Sequence, residues 1–92
     1  MDNFLFNQKT PTEIIKNIAL RIQKRRKHLK ISQLELSQKS GVSLGSIKRF
    51  ESKHEISLLS LVKIAIALDI DNEFDNLFDS KGYTSINEVI NE

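Results

Sequence analysis

A twenty-residue stretch from Ile31 to Phe50 places the strongest constraint on how this chain can fold. Ser32 and Glu35 have the spacing of a capping box, in which each side chain accepts a hydrogen bond from the other residue's backbone N–H. Gly41 can adopt the left-handed conformation that ends a helix, and Ser43 can cap the next one. The stretch therefore predicts two short helices joined by a tight turn.

The second of these helices has two chemically different faces. Ile47 and Phe50 fall about 60° apart on one side of the helix. At about 100° per residue, the other side holds residues of a different kind: Leu44, Gly45, Lys48 and Arg49. One face is suited to pack on a core, while the other presents small, basic and methyl-bearing groups. That combination is typical of a helix that enters the major groove of DNA.

The composition excludes several classes of protein. Ninety-two residues with 39% apolar content allow one small domain with a modest core. The absence of cysteine excludes disulfides and thiolate metal sites. His28 and His54 lie far apart without matching ligands, so we expect no structural metal. We also expect no cofactor. No apolar run reaches about 18 residues and no signal peptide is evident, so we expect a cytoplasmic protein without membrane contact.

The net charge of +2 conceals a division along the chain. Residues 1–60 contain 12 Lys and Arg against 5 Asp and Glu, a net of +7, whereas residues 61–92 contain 2 against 7, a net of −5. The basic part should attract polyanions. Its run from Gln23 to Lys27 can be read as a merely solvated helix face. Its position directly before the helix pair favours phosphate contact instead.

Spacing and capping residues predict three further helices. Pro11 marks the start of a helix from about Thr12 to Leu29, with one apolar and one basic face. Ser57 caps a very apolar helix that ends near Leu68 and should be covered on more than one side. A short helix from Glu73 to Phe78 should supply three side chains to the core: Phe74, Leu77 and Phe78. The predicted fold is all-α, with five helices.

These elements set the expected domain boundaries. Residues 1–11 form an N-terminal extension, residues 12–79 the domain with the helix pair, and residues 80–92 a tail that is either a final helical turn or an added strand. Both ends carry apolar residues beyond the predicted core: Phe4, Leu5 and Phe6 in the extension, and Ile86, Val89 and Ile90 in the tail. Such residues indicate an interface, with dimerisation as the first candidate, and the alternative is that both ends are disordered.

From Ile18 to Phe78 the chain resembles the lambdoid repressor and Cro family, the XRE-type helix-turn-helix proteins. The residues that carry the likeness are IQKRRKHLKISQLELSQKSGVSLGSIKRFESKHEISLLSLVKIAIALDI. The resemblance implies a lambda-repressor-like domain that represses transcription as a homodimer on a palindromic operator in double-stranded DNA. It also implies five base-facing residues: Ser43, Leu44, Gly45, Lys48 and Arg49. Arg26 and Glu51 match a structural ion pair between the first helix and the recognition helix.

Phosphate contacts are expected from seven residues: Lys24, Arg25, Ser32, Gln33, Ser46, Ser52 and Lys53. Gln33 matches a family glutamine that binds a phosphate and reaches toward the first base. Arg49 can hold a guanine through two hydrogen bonds, which are worth about 1–3 kcal/mol of discrimination. Leu44 offers apolar contact to a thymine methyl, and Gly45 offers no side chain. We therefore expect a short direct readout that is helped by DNA shape.

The stretch from Phe50 to Phe78 is similar to a narrower group, the HipB-type antitoxins, through RFE, EISLLSLVKIA and EFDNLF. That likeness implies an autoregulating antitoxin that binds its own promoter and a HipA-like kinase toxin. Two alternatives stay open: a phage-type or chromosomal XRE regulator without a toxin, and a protein-interaction module that uses the same fold. We expect no enzyme, because the sequence offers neither a Ser/His/Asp arrangement nor a phosphate-cradling glycine loop.

Overall fold

The computed structural model describes residues 9–80, which form four α-helices followed by a 3-10 helix. The α-helices are α1 (Pro11–His28), α2 (Gln33–Ser40), α3 (Leu44–Lys53) and α4 (Leu58–Ala67), and the 3-10 helix is Asp71–Phe74. No strand occurs within residues 9–80, so the described part of the chain is all-α, as the sequence predicts. α1 begins at Pro11, one residue earlier than expected.

A hydroxyl side chain caps the start of each α-helix: Thr10, Ser32, Ser43 and Ser57 in chain order. The capping box expected at Ser32 is present, since its Oγ accepts the Glu35 N–H at 3.0 Å and Glu35 accepts the Ser32 N–H at 2.9 Å. The hydrogen bond from the Ser32 backbone keeps the pKa of Glu35 below its ordinary value of 4.5. The caps explain why helices begin at these residues.

The turn between α2 and α3 is fixed by Gly41, Ser37 and Val42. Gly41 is left-handed at φ 76° and donates its N–H to the Ser37 carbonyl at 2.9 Å, which ends α2. The Ser37 hydroxyl donates to the Val42 carbonyl at 2.6 Å. Val42 is itself buried, so the turn is attached to the core as well as to α2. The predicted helix pair and its turn are both confirmed.

The core of the described residues lies where α1 and α2 pack against α3 and α4. Its buried apolar members are Ala19, Ile22, Leu36, Val42, Ile47, Phe50, Ile64, Ala65 and Leu68. Ile47 is 0% exposed and Phe50 is 2% exposed, so α3 is anchored from one side as its residue pattern predicts. The opposite side of α3 is therefore turned to solvent.

The predicted fifth helix, from Glu73 to Phe78, does not form. A 3-10 helix covers Asp71–Phe74, and turns continue to Phe78, which is left-handed at φ 60°. Asp and Asn make up four of the eight residues 71–78, and their side chains compete for backbone hydrogen bonds and favour turns. The prediction that Leu77 and Phe78 join the core is also wrong, because they are 47% and 82% exposed. Phe74 is half-buried.

The described residues cover α4 on one side only. Ile64 and Ala65 are buried, whereas three apolar side chains of this helix and its first turn are more than half exposed: Leu58, Leu59 and Ile66. The expectation that α4 is covered on more than one side is not met within residues 9–80.

The apolar residues predicted to form an interface at the two ends lie outside the described residues. No helix in the described part of the chain has the length and apolarity needed to cross a bilayer.

Candidate nucleic-acid interface

The solvent-facing side of α3 forms the candidate interface. Gly45, Lys48 and Arg49 are exposed along it, and Leu44 lies half-buried at its edge. Ser43, the exposed cap residue, stands at the N-terminal end of the same helix. The structure thus gathers the five residues expected to face bases on one surface. Their contact with bases stays a prediction.

The hydroxyl groups at the start of α3 are linked to each other. Ser43 Oγ accepts the Ser46 N–H at 3.1 Å and lies 2.8 Å from Ser46 Oγ, with Ser43 as the donor. Because this bond uses the Ser43 hydroxyl hydrogen, Ser46 is the residue with a hydroxyl hydrogen left for a phosphate oxygen. The N-terminus of a helix favours such an anion.

A buried ion pair fixes α3 against α1 and α2. Arg26 donates from Nε to Oε2 of Glu51 at 2.7 Å and from Nη2 to Oε1 at 2.9 Å. Gln23 and Gln33 each donate Nε2 to the same Oε1, at 3.1 and 2.9 Å. Nη1 of Arg26 donates to the Ile31 carbonyl at 2.8 Å. The Arg26 and Glu51 side chains are 10% and 4% exposed, so the pair is largely removed from water.

The charge of Glu51 is maintained by its partners. Burial of this carboxyl raises its pKa, but the hydrogen bonds from Arg26, Gln33 and Gln23, together with the charge of Arg26, outweigh that effect. The pKa of Glu51 therefore lies below its ordinary value of 4.5. A carboxylate that stays ionised near neutral pH holds three side chains from two other helices against the recognition helix.

Gln33 has a structural contact that the sequence analysis missed. Its amide nitrogen is bonded to Glu51, so one of its two N–H hydrogens is used inside the protein. The second hydrogen is still available for a phosphate oxygen. Gln23 was missed as well, although its position three residues before Arg26 places both side chains on one face of α1. That spacing is the signal that could have found it.

The two cations expected to bind phosphate from α1 differ in their surroundings. Arg25 is half-buried and donates Nε to the Leu68 carbonyl at 3.1 Å, where it caps the C-terminal end of α4. Lys24 is exposed and makes no ion pair with a described residue. Of these two side chains, Lys24 has the charge that is free to approach DNA, and Arg25 has a structural role that the sequence did not indicate.

The remaining expected phosphate contacts lie at the start of α2 and the end of α3. Ser32 is exposed, and its hydroxyl oxygen accepts the Glu35 N–H while its hydrogen has no described acceptor. Ser52 instead donates its hydroxyl hydrogen to the Lys48 carbonyl at 2.8 Å. In this conformation Ser52 cannot donate to a phosphate oxygen. Lys53 is exposed at the last residue of α3.

Arg49 is held by a partner that the sequence analysis did not identify. Its Nε and Nη2 lie 2.8 and 2.6 Å from Oε1 of Glu55, in the loop after α3. The two side chains are 67% and 60% exposed. They stand at a surface depression of about 510 Å³ lined by Ser46, Arg49, Glu55, Ile56, Ser57 and Ser60. The partner is six residues along and beyond the helix end, so helical spacing gave no signal for it.

Packing within the domain does not require a glycine at position 45. A Cβ built on Gly45 meets no heavy atom within 4 Å. Gly45→Ala should therefore stabilise the domain by about 1 kcal/mol through helix propensity, which is about 4–8 °C in Tm for a domain of this size. Thermal unfolding followed by circular dichroism measures the change.

The matched control is Gly41→Ala, which should lower the Tm because Gly41 has a φ of +76° that alanine adopts only under strain. A Gly45→Ala protein with an unchanged or lower Tm would contradict the argument. Should the same variant bind DNA less tightly while its Tm rises, the added methyl group obstructs close approach of the helix backbone.

These observations define the class of protein. Two capped helices are joined at a left-handed glycine, the second is anchored by its core face and by a buried ion pair, and its other face is open. This arrangement is a helix-turn-helix DNA-binding domain.

The helix-turn-helix family model matches residues 22–71, a little over half of the chain. The chain belongs to the XRE-type helix-turn-helix family, whose domain is that of a DNA-binding regulator. Comparison with curated proteins and with solved structures gave no match.

Proposed function

We propose that the chain is a sequence-specific transcriptional repressor that binds a palindromic operator as a twofold homodimer. The observation that carries the proposal is the open face of α3, where Lys48 and Arg49 are exposed while Ile47 and Phe50 hold the helix from beneath. In such a dimer the two recognition helices reach half-sites about 34–36 Å apart. The protein acts in the cytoplasm with its DNA, without cofactor and without catalysis.

A protein partner is favoured by the apolar surface of the described residues. Leu58, Leu59 and Ile66 are 68%, 66% and 59% exposed, and Ile14 and Ile15 on α1 are both 47% exposed. Exposed apolar side chains in this number are typical of an interface. The partner in the proposed dimer is a second copy of the chain.

We further propose that this regulator is the HipB-type antitoxin of a toxin–antitoxin operon, and that it binds a HipA-like kinase toxin as well as its own promoter. The proposal is supported by the phrases RFE, EISLLSLVKIA and EFDNLF. The second phrase covers the cap and the first eight residues of α4, including the exposed Leu58 and Leu59. An XRE regulator without a toxin is the second candidate. A neighbouring gene for a kinase of this type, and co-purification with its product, would separate the two.

Titration of labelled duplexes tests the repressor proposal. The full chain is added to a duplex from its own upstream region and to a shuffled duplex of equal composition, and fluorescence anisotropy is read at two salt concentrations. Specific sites are typically bound at least about 10³-fold more tightly than other DNA. We expect such a preference and two chains per bound duplex. Equal affinity for both duplexes would contradict the proposal. If the chain binds a protein partner but neither duplex, the protein-interaction module is favoured instead.

Arg49→Ala should weaken binding to the specific duplex by about 1–3 kcal/mol, because a bidentate contact to guanine is lost. The preference at one base pair of each half-site should disappear with it. Titration against a set of duplexes changed at single positions measures both effects. If the variant loses affinity equally for the specific and shuffled duplexes, Arg49 contacts only the backbone.

Lys24→Ala should weaken binding to every duplex alike. Loss of one phosphate contact lowers the slope of log affinity against log salt by about one unit per contact. Lys63→Ala is the matched control, since Lys63 is exposed on α4 within the acidic part of the chain. An unchanged slope for the Lys24 variant would remove that residue from the phosphate contacts.

Arg25→Ala should lower the stability of the folded domain in addition to weakening DNA binding, because the hydrogen bond from Arg25 to the Leu68 carbonyl is lost.

A further inference from the structure

We propose that Glu55 is a positioning residue that sets the guanidinium of Arg49 for base readout. The inference rests on the proposed function, because it concerns how the recognition helix discriminates between bases. Glu55 accepts from Nε of Arg49 at 2.8 Å, and the same oxygen lies 2.6 Å from Nη2. One hydrogen bond and one close ion-pair contact thus join a single carboxylate oxygen to one edge of the guanidinium.

The donors that Glu55 leaves free match the requirement of guanine. A guanidinium has five N–H groups in a fixed planar fork. Glu55 accepts the N–H of Nε, and the same carboxylate oxygen lies 2.6 Å from Nη2 on that side of the fork. The outer edge, with Nη1 and the second N–H of Nη2, remains open, and two parallel donors of this kind are what the O6 and N7 atoms of guanine accept. Arg49 can therefore keep Glu55 and bind a base at the same time.

The helix itself gives Arg49 no other support. The residues one turn away are Gly45, which has no side chain, and Lys53, which carries the same charge. Ser46 and Ser52, three residues away on either side, are bonded to Ser43 and to the Lys48 carbonyl, and neither makes a hydrogen bond to Arg49. Among the described acidic residues, Glu55 is the one paired with Arg49. Without it, this long side chain would sample many rotamers over the DNA surface.

The end of α3 is shaped so that Glu55 reaches Arg49. His54 is left-handed at φ 65° and donates its N–H to the Phe50 carbonyl at 2.9 Å, which ends the helix. The chain then turns back, and Glu55 lines the same depression as Ser46 and Arg49. The contact therefore depends on the loop, and the recognition helix alone would not form it.

A carboxylate beside DNA also repels phosphate, and this gives the proposal a distinctive signature. Removing Glu55 takes one negative charge from the interface, which should tighten binding to all sequences. Removing it should at the same time loosen the hold on Arg49 and lower the preference for guanine. A residue that acted only through its charge would change general affinity and leave base preference unaltered.

The test uses the full chain and duplexes that the unaltered protein enriches from a random library, with the unselected library as the non-specific probe. Glu55→Ala should bind the unselected library at least as tightly as the unaltered protein does. Its preference for guanine at the position read by Arg49 should fall by about threefold or more, out of the roughly 5- to 150-fold that one bidentate contact supplies. Glu55→Gln should keep an intermediate preference, because the amide oxygen can still accept from Arg49.

Two controls separate positioning from a general effect. Glu73→Ala removes an equal charge from an exposed residue of the 3-10 helix and should leave base preference unchanged. In an Arg49→Ala background, Glu55→Ala should have no further effect on base preference. The Tm of Glu55→Ala should stay within a few degrees of the unaltered protein, since exposed ion pairs contribute little to stability.

Two results would overturn the inference. Glu55→Ala could retain full guanine preference, and if it then also bound the enriched duplex more tightly, Glu55 would only withhold Arg49 from DNA. Glu55→Ala could also lower guanine preference by the same factor in the Arg49→Ala background. In both cases the unaltered protein still enriches a sequence, so the proposed function stands. If the unaltered protein enriches no sequence, the proposed function fails and the inference fails with it.

Discussion

Glu51→Ala is expected to destabilise the domain by about 3–5 kcal/mol, because it leaves the buried guanidinium of Arg26 without its counter-charge. Gln23 and Gln33 lose their acceptor in the same variant. Small domains have about 5–15 kcal/mol of total stability, so much of the protein should unfold at moderate urea concentration. Equilibrium urea unfolding of the full chain measures the loss.

The control for this prediction removes both charges. Arg26→Met combined with Glu51→Leu replaces the buried pair by apolar groups of similar size, and such replacement is often close to neutral. The double variant should therefore recover part of the stability that Glu51→Ala loses. A Glu51→Ala loss below about 1 kcal/mol would show that the pair is more hydrated than its 10% and 4% exposure indicates.

Acid should act on the same residue in a defined direction. The pKa of Glu51 is lowered in the folded protein, so the folded state binds this proton less readily than the unfolded state does. The contribution of the ionised carboxylate is fully present above the ordinary value of 4.5 and is lost as pH falls through the lower folded pKa. Glu51→Gln should flatten the decline in stability below about pH 5. Equal acid sensitivity in both proteins would assign that decline to other carboxyls.

Phe50→Ala is the second change with a large expected effect, a loss of about 3–5 kcal/mol. Phe50 is 2% exposed and belongs to the buried core cluster, so its truncation leaves a cavity in a close-packed interior. Phe78→Ala is the matched control. That phenylalanine is 82% exposed, so the same substitution should change stability by at most about 0.5 kcal/mol. Urea unfolding of both variants provides the comparison.

Similar losses in the two variants would contradict the assignment of Phe50 to the core. DNA binding provides a second measurement on the Phe50→Ala variant, to be compared with Arg49→Ala. Phe50→Ala should weaken binding to every duplex in proportion to the fraction of unfolded protein, whereas the Arg49 variant changes base preference in a folded protein. The two effects therefore distinguish the side of α3 that supports the helix from the side that faces DNA.

Local signals explain which parts of the fold the sequence predicted. The Ser32 box, the left-handed Gly41 and the burial of Ile47 and Phe50 depend on residues within one or two helical turns, and all are present in the structure. The error at Glu73–Phe78 has a local origin as well. Its apolar spacing fits a helix, but its Asp and Asn residues favour turns, and spacing was given more weight.

The contacts that the sequence did not reveal join residues distant along the chain. Gln23 and Gln33 meet Glu51 across 28 and 18 residues, and Arg25 meets the Leu68 carbonyl across 43. Which of several equivalent surface polar groups find each other depends on helix packing, which periodicity does not specify. The Arg26 pair with Glu51 was expected only because of the family resemblance. The roles of the interface residues toward DNA remain predictions.

The residues that anchor α3 are not the residues that it exposes to solvent, and this affects how the DNA specificity of such a domain can evolve. The ion pair and the two buried side chains hold the helix without help from positions 48 and 49, which are exposed. Substitutions there can redirect the domain to new operators while its thermodynamic stability stays nearly constant. The domain is thus a convenient framework for engineering altered specificity, and duplicated genes that encode it can diverge in target through few mutations.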